Sequence, residues 1–567
     1  MEGFLSTTEA SCFCRVASAE KGSRLSEMSL LLLVLACATW TVGALEESGP
    51  PHIVFILADD LGWADVSMHG SPQIPTPNID ALACTGMALN NYYVQPLCSP
   101  SRAALLSGLY AIHTGFQESA ILPGVPAALS LNVKIMPEYL KDLGYETHML
   151  GKWHIGYQSL NYTPTFRGFD SFCGIHTGPD DYYSHILEWE GHRGLDFWND
   201  TQPLTAEDGK YSTTLFTERA ASIISNRDKS KPLFLYLAHQ ASHSGINPNP
   251  LQAPEENVAK FPYIGQPDRT TYAGMVDALD QSVGAVLEAL EAESMLRNTI
   301  IVFSSDNGGS PTGFVSNFGF NWPLRGAKQT VWEGGIRASA FIWSPQLRHG
   351  GKVSQQLMHI TDWLPTLYAA AGFLFKSDHT GGDVKRLGAL DGIDTWHSLV
   401  VGKPSPRSEI LHNIDQNAGI AALRYRDFKL VVGSDGEMDA RFEVPGGSRP
   451  YGDLDALLKQ SKAAAVLRRF YGKKDVFKHV DRWRLQATIK CGHVHDANFR
   501  MGGSYYLFDI VDDPCEQRNL AKERPDVLSM MLEKLAIYNE TVVPPVTTLE
   551  DPRSYPDQHN GIWAPWL

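Results

Sequence analysis

Four short apolar runs, rich in β-branched residues and flanked by turn or helix signals, stand out in the first two thirds of the chain. Runs of this kind are typical of parallel strands that are buried on both faces. Helical patterns lie between them, most clearly over 135–144 and 272–293. This alternation predicts an α/β fold with a large, doubly wound and mostly parallel sheet. The four runs are 52–60, 146–154, 232–243 and 298–309.

The pattern changes near residue 400, where the Pro- and Ser-containing segment 401–409 is predicted to be a linker. Shorter strand-like runs and two helical stretches, around 453–470 and 525–538, follow it. We therefore predict a catalytic domain over 45–402 and a smaller C-terminal α+β domain over 403–567.

An apolar segment from Leu30 to Val42 lies near the N-terminus and is followed by small residues. It is too short to span a bilayer comfortably, and it predicts a signal peptide over 1–44 that is cleaved after Ala44. Met28 is a possible true start, and a signal-anchor is the alternative. No later stretch predicts a stable membrane span. Because of the signal peptide, the chain is expected in the secretory pathway, with the lysosome or the extracellular space as its destination.

Glycosylation sequons and cysteine usage are compatible with this route. Sequons occur at Asn161, Asn199 and Asn539. After cleavage five cysteines would remain, and if Cys98 has a chemical use, four are left to pair. We favour a disulfide between Cys491 and Cys515, which lie in one C-terminal segment, and the pairing of Cys84 and Cys173 stays open.

The formal net charge of −15 argues against nucleic acid as a partner. A basic run over 468–484 is predicted to be a solvated helix face, because mixed charge patterns usually have that meaning. An anionic substrate would therefore need a local positive site.

Polar residues follow each of the four predicted strands, and in a parallel sheet they would meet at one edge. Asp59 and Asp60 follow the first strand, and Asp306 and Asn307 follow the last. Paired aspartates at a strand end commonly serve only as caps or turns. Together, however, these four residues form an all-oxygen set, which suits Ca²⁺ or Mg²⁺ rather than zinc.

Cys98 precedes a helical pattern that ends at Gly108. We expect Ser99 to cap this helix and Pro100 to occupy its first position. The helix N-terminus would then lower the pKa of the Cys98 thiol, and Arg102 would add a positive fork suited to oxyanions. The alternative is that Cys98 is simply a small buried apolar residue.

Two motifs resemble the signatures of the sulfatase family. "CSPSRAALLSG" (98–108) is similar to the family's C-x-P-S-R motif, which directs conversion of the cysteine to formylglycine, and "GYETHMLGKWH" (144–154) is similar to its second signature. The resemblance runs from about residue 51 to the end. Segments 321–337 and 551–567 look most like family members that remove 4-sulfate groups from N-acetylgalactosamine.

The resemblance implies an arylsulfatase-type sulfuric ester hydrolase. Its cofactor would be one Ca²⁺, with Mg²⁺ as the second choice, and Cys98 would become formylglycine through the formylglycine-generating enzyme during secretion. The substrate would be an aryl sulfate or a sulfated glycan, with 4-sulfated N-acetylgalactosamine of chondroitin or dermatan sulfate expected. The implied metal ligands are Asp59, Asp60, Cys98, Asp306 and Asn307.

The resemblance also implies roles for five further side chains. Lys152, Lys328 and His243 would bind the sulfuryl group, and His243 would donate a proton to the leaving alcohol. Arg102 would steady the hydrated formylglycine, and His154 would help to release sulfate. Considered singly, each histidine could be a satisfied core residue and Lys328 an exposed loop lysine.

Two other functions stay open at this stage. Formylglycine-dependent phosphodiester or phosphonate hydrolases belong to the same superfamily, whereas a two-zinc phosphatase would need more histidine ligands. A secreted glycan-binding relative without activity would be expected to have lost Cys98 or a metal ligand, and every implied position is filled.

Overall fold

The computed structural model describes residues 49–245, 248–313, 316–348, 350–373, 390–434, 436–472, 475–492 and 502–567. The predicted signal peptide, Met28 and the alternative signal-anchor lie outside these residues. In the part of the chain that is described, no helix is both long enough and apolar enough to cross a membrane.

Eighteen strands occur in the described residues, and the sequence predicts the four central ones correctly. They are β1 (His52–Ala58), β2 (Met87–Leu89), β3 (Tyr92–Tyr93), β4 (Glu146–Lys152), β5 (Ser171–Ile175), β6 (Ile186–Trp189), β7 (His192–Leu195), β8 (Trp198–Asn199), β9 (Gln202–Pro203), β10 (Leu233–Ala238), β11 (Thr299–Ser305), β12 (Ala340–Trp343), β13 (Lys352–Ser354), β14 (Met358–His359), β15 (Glu409–Asp415), β16 (Ile420–Tyr425), β17 (Phe428–Val432) and β18 (Tyr505–Asp509).

Fourteen α-helices connect or flank these strands in the described residues. They are α1 (Pro77–Thr85), α2 (Cys98–Ser107), α3 (Ala111–Thr114), α4 (Met136–Asp142), α5 (Ser212–Asn226), α6 (Glu255–Val258), α7 (Pro267–Ala292), α8 (Glu333–Ile336), α9 (Trp363–Phe373), α10 (Trp396–Val401), α11 (Asp453–Gln460), α12 (Lys462–Tyr471), α13 (Val480–Ala487) and α14 (Pro525–Asn539).

Ten strands form the main sheet, in the order β13-β2-β12-β11-β1-β10-β4-β5-β8-β9. Its centre is parallel: β1 pairs with β10 and β11, and β10 pairs with β4. The antiparallel pairs lie nearer the edges, for example β11 with β12 and β5 with β8. The predicted α/β class with a large, mostly parallel sheet is confirmed.

Both faces of this sheet are covered, and strand β1 shows how. Its alternate residues Val54 and Ile56 pack in one core cluster, which includes helices α1, α5 and α7. Ile53 and Phe55 point the other way, into a cluster with α2, α4 and α9. Because side chains alternate along a strand and both sides are apolar here, the sequence shows a continuous apolar run.

The C-terminal region contains a separate antiparallel sheet in the order β15-β16-β17-β18, which packs with α14. Residues 50–567 form one compact unit. Helices α11 to α13 join the core cluster of α1 and α7 on the main sheet. The division into 45–402 and 403–567 stays a prediction.

The basic run 468–484 is only partly a solvated face. The Arg469 side chain is 58% exposed and pairs with Glu291, as expected for a solvated position. Arg484 is fully buried, however, and there the prediction is wrong. Its guanidinium pairs with Asp80 of α1, lies 3.0 Å from Asp455 and donates to the Ser67 carbonyl at 2.7 Å. A buried partner more than 400 residues away fixes this arginine, so local sequence could not reveal its burial.

Replacement of Arg484 by alanine is predicted to destabilise the chain by about 3–5 kcal/mol, because the carboxylate of Asp80 would stay buried without its cation. The neighbouring Arg482 is exposed, so Arg482→Ala is the matched control and should change stability by less than about 0.5 kcal/mol. Urea unfolding followed by tryptophan fluorescence measures both. Equal stability of the two variants would contradict the structural role of the pair.

Candidate active site at the carboxyl edge of the sheet

The register of the central strands brings the predicted acidic residues together. Ala58 at the end of β1 lies opposite Ser305 at the end of β11, so Asp59 and Asp306 follow at the same level. The Asp60 amide donates to Asp306 Oδ1 at 3.1 Å, and Asp60 has a φ of 56°. A left-handed conformation costs energy for a non-glycine residue and is commonly stored at functional sites.

A glycine in β4 permits this strand to lie very close to β10. At Gly151 in β4, φ is +96° and a Cβ atom would lie 1.9 Å from the Ala238 carbonyl oxygen of β10. Only glycine fits this position. The next residue, Lys152, is the last of β4 and lies at the same edge of the sheet as Asp59.

Three buried carboxylates and three buried cations form a connected network at this edge. Lys152 Nζ lies 2.7 Å from Asp59 Oδ2, and Lys328 Nζ lies 2.6 Å from Asp60 Oδ2. Arg102 Nη2 lies 2.8 Å from Asp306 Oδ2. Lys328 reaches the network from a loop whose backbone bonds to Gly309, at 3.1 Å. It is therefore a buried site residue and not an exposed loop lysine.

The network shifts the pKa values of its carboxyl groups in opposite directions. Burial alone would raise the pKa of Asp59, but Lys152 and Arg102 hold that pKa well below its usual range. Burial, together with the nearby charge of Asp59, raises the pKa of Asp306 to about 7. Groups with pKa values pushed apart in this way are common at functional sites.

Cys98 begins helix α2 and is buried. Its Sγ lies 3.6 Å from Asp60 Oδ1. The expected cap is wrong: the N-cap is Leu97, and the Ser99 hydroxyl instead accepts a hydrogen bond from the Ile121 amide at 3.0 Å. The expected lowering of the Cys98 pKa is also wrong, because burial raises it strongly. Gly108 ends the helix as predicted.

His243 lies between a backbone acceptor and the lysine of the network. Its Nδ1 donates to the Ser244 carbonyl at 2.5 Å, so Nε2 is an acceptor and faces Lys328 Nζ at 3.1 Å. Nε2 is also 3.5 Å from Asp60 Oδ2. Burial and the charge of Lys328 lower the pKa of His243 to about 4, so the imidazole is neutral near pH 7.

His154 follows β4 in a left-handed conformation, with a φ of 57°. Its Nε2 donates to the Ile121 carbonyl at 2.8 Å, and its buried Nδ1 has no hydrogen-bond partner within the described residues. Burial and Lys152 lower the pKa of His154 well below its usual range. The Nδ1 lone pair is therefore not engaged in a hydrogen bond within the described residues, and the lowered pKa keeps the imidazole neutral.

The donor set fits a hard divalent cation. Asp59, Asp60, Cys98 and His243 each offer a ligand atom, and these atoms lie within 4.8 Å of one another. Asp59 Oδ1 and Asn307 Oδ1 are buried and make no hydrogen bond in the described part of the chain. Asp59 Oδ1 lies 3.4 Å from Arg102 Nη2, and buried oxygens without hydrogen bonds are costly unless a cation satisfies them. Asp306 is not in that group, and both its oxygens receive hydrogen bonds, from Asp60 and Arg102.

The other predicted site residues lie away from this edge. Asn161, Asn199 and Asn539 are all exposed. Cys491 and Cys515 are joined in a disulfide, whereas Cys84 and Cys173 are free and buried.

Comparison with known proteins gives consistent matches. Residues 51–373 match the family model described as Sulfatase. Arylsulfatase J of Mus musculus is 39% identical over 536 residues, which cover 91% of this chain and 80% of that protein. N-acetylgalactosamine-6-sulfatase of Homo sapiens is 33% identical over 380 residues, covering 64% of this chain and 68% of that protein.

Similar solved structures extend the likeness to the C-terminal region. Ps i-CgsB in complex with k-i-k-neocarrahexaose has a TM-score of 0.67 and 26% sequence identity to this chain. The match covers 89% of this chain and 95% of that one. The architecture is therefore shared well beyond the main sheet.

Asn317 is a site residue that the sequence analysis missed. It is fully buried, and its Nδ2 donates to the Asp60 carbonyl at 2.9 Å and to the Ser242 carbonyl at 3.0 Å. Its Oδ1 accepts from the amides of Ser310 and Gly319. One amide thus ties the strained Asp60 to the residue preceding His243. Its position in an irregular Gly-rich loop gave no signal that it would reach either strand end.

We predict that Asn317→Ala weakens the binding of a divalent cation by about tenfold, because the two hydrogen bonds that hold Asp60 and Ser242, each worth roughly 1 kcal/mol, are lost. Isothermal titration with Ca²⁺ measures the affinity, and thermal unfolding reports the fold. Asn413→Ala is the control, since Asn413 is also buried but lies on strand β15 and bonds to Gln117. Equal affinities in the two variants would refute the positioning role.

Proposed function

The chain belongs to the sulfatase family and is a sulfuric ester hydrolase, and we propose that residue 98, converted from cysteine to formylglycine, is its nucleophile beside one bound Ca²⁺. The observation that carries the proposal is the place of Cys98. Its side chain begins a helix inside a buried network and lies 3.6 Å from Asp60, which itself contacts Lys328 at 2.6 Å. No structural need for a thiol is evident there.

Asp59, Asp60 and Asn307 would hold the cation, and the orphaned oxygens of Asp59 and Asn307 support this assignment. Asp306 and residue 98 would join them as ligands, and Asp306 also accepts a hydrogen bond from the Asp60 backbone amide at 3.1 Å. When bound, the ion supplies positive charge that polarises a sulfate oxygen and favours the deprotonated nucleophile. Oxygen ligands favour Ca²⁺, with Mg²⁺ as the second choice.

Hydrated formylglycine supplies one hydroxyl that attacks sulfur and a second whose loss of a proton releases sulfate and restores the aldehyde. Arg102 would steady the hydrated formylglycine, since it is fixed by Asp306 and by the Lys152 carbonyl at 2.8 Å. His154 would take the proton of the second hydroxyl through its free Nδ1.

Lys152, Lys328 and His243 would bind the sulfuryl group and its leaving oxygen. His243 is neutral near pH 7, and its Nε2 accepts a hydrogen bond from Lys328. In the proposed order Lys328 first passes a proton to His243 Nε2, and His243 then hands that proton to the leaving oxygen.

We further propose a sulfated glycan as the natural substrate, with 4-sulfated N-acetylgalactosamine of chondroitin or dermatan sulfate first in order. The resemblance of segments 321–337 and 551–567 supports 4-sulfate, whereas five relatives are named N-acetylgalactosamine-6-sulfatase. The formylglycine-generating enzyme would modify Cys98 during secretion. The three exposed asparagines of the sequons would carry glycans on the way to the lysosome or the extracellular space.

Protein made through a eukaryotic secretory route is predicted to contain formylglycine at position 98, detected by peptide mass spectrometry and by reaction of the aldehyde with a hydrazide. Cys98→Ala should fold and lack activity. Cys98→Ser is the sharper variant, because its single hydroxyl could attack sulfur but could not release sulfate by forming an aldehyde. A sulfated serine should therefore accumulate without turnover. An intact Cys98 thiol in fully active protein would overturn the proposed nucleophile.

The active protein is predicted to hydrolyse chondroitin 4-sulfate oligosaccharides that end in sulfated N-acetylgalactosamine. The kcat/KM for the 4-sulfated end should exceed that for the matched 6-sulfated end by at least about tenfold, since a misplaced sulfate loses the aligned geometry of attack. Sulfate release measured by ion chromatography gives both values. A preference for the 6-sulfated end would contradict the 4-sulfate proposal, and a simple aryl sulfate serves as the control for general activity.

A further inference from the structure

A second basic cavity, which we call the arginine cleft, lies between the main sheet and the C-terminal antiparallel sheet. Its volume is about 570 Å³. Clefts of this size between structural layers are typical of ligand sites. Its charged lining residues are Arg337, Arg407, Arg424, Arg426, Asp427 and Lys490.

Nearby carboxylates neutralise two of these arginines. Arg407 Nε donates to Asp362 at 2.8 Å, and Arg337 lies 3.2 Å from Glu333. Behind the lining, Lys429 lies between Glu333 and Glu516, 2.9 and 2.8 Å away. The charges of these six groups cancel, because the three cations are paired with three carboxylates.

The remaining charges leave the cleft positive. In the described residues, no carboxylate lies within ion-pair distance of Arg424, Arg426 or Lys490, and Asp427 is the one acidic lining residue. The local balance is therefore about two positive charges in a chain of net charge −15. Arg424 is almost fully buried and packs over the Tyr93 ring, with 5.3 Å to the ring centroid, whereas Arg426 and Lys490 are exposed.

Asn90 adds a neutral hydrogen-bonding group to the lining. Its Nδ2 is directed at the carbonyls of Gln486 and Ala487, at 3.4 and 3.3 Å. Its Oδ1 is buried and has no hydrogen-bond partner in the described part of the chain. Arg424 donates to the Tyr93 hydroxyl, so Arg426 and Lys490 are the cations open to a ligand, and an unsatisfied acceptor near them suits a ligand with both hydroxyl and anionic groups.

Two paired segments connect the cleft to the active site. The Gln329 amide donates to the Pro96 carbonyl at 2.8 Å, and the Val94 amide donates to the Ile336 carbonyl at 2.8 Å. The two segments are 91–96 and 329–337. One end of the pair is next to the active-site residues Cys98 and Lys328, and the other end holds the cleft residues Asn91 and Arg337. The six residues from Asn91 to Pro96 are five backbone steps and span at most roughly 17 Å.

We propose that the arginine cleft binds a second anionic group, a sulfate or carboxylate, of the same glycan chain whose sulfate ester is cleaved at residue 98. This inference rests on the proposed function and adds that the substrate is an extended polyanion of several sugars. Binding at the cleft would let an acidic protein hold a polyanion without altering the chemistry at the sheet edge.

The test uses full-length Cys98→Ala protein, which cannot turn over, and isothermal titration with a chondroitin 4-sulfate disaccharide and hexasaccharide. The hexasaccharide should bind more tightly, and Arg426→Ala/Lys490→Ala in the same background should weaken its binding by about tenfold. Disaccharide binding should stay unchanged. Arg297→Ala/Lys522→Ala is the matched control, since it removes the same charge from two exposed residues outside the cleft lining.

Three results would overturn the proposal: equal affinity of the parent for both sugars, no binding of the hexasaccharide, or equal weakening in the control. The proposed function is judged separately by aryl sulfate hydrolysis in protein that keeps Cys98. There Arg426→Ala/Lys490→Ala should leave kcat and KM unchanged while KM for the hexasaccharide rises about tenfold. A fall in aryl sulfate kcat would show that these residues act on the active site and would contradict a separate subsite.

Discussion

The structure depends most on the balance of buried charge at the carboxyl edge of the main sheet. Three carboxylates at the ends of β1 and β11 are fully buried, and burial of unpaired charges costs several kcal/mol each. Each carboxylate contacts its own buried cation at 2.6 to 2.8 Å. The parallel register fixes the acids, and the cations come from a helix, a neighbouring strand and a loop. Fold and site are therefore set by the same contacts.

This balance has a consequence for the substrate. With His243 neutral, three acids and three cations cancel, and a bound divalent cation would leave the site with two positive charges. A sulfate ester is an anion, so the local charge would attract it even though the whole chain is acidic. The arginine cleft has a similar excess for a different reason, because its cations outnumber the carboxylates in its lining.

Much of this site could be predicted from sequence, because apolar runs identify parallel strands and parallel strands end at one edge. Asp59, Lys152 and Asp306 follow directly from that rule. The motif around Cys98 indicated the chemistry of this residue but not its environment. The burial that raises the pKa of Cys98 depends on the tertiary fold. Asn317 and Arg484 could not be found in the same way, because their partners are distant in sequence and no periodic pattern marks them.

The central claim is that the buried oxygens of Asp59, Asp60 and Asn307 hold one divalent cation. Elemental analysis by mass spectrometry, after exhaustive dialysis against metal-free buffer, tests it most directly. One calcium per chain is expected in the unaltered protein. In Asn307→Ala, which leaves the charge balance untouched, clearly less calcium should remain while the circular dichroism is unchanged. Fully active protein that contains no calcium or magnesium, or that holds zinc instead, would contradict the claim.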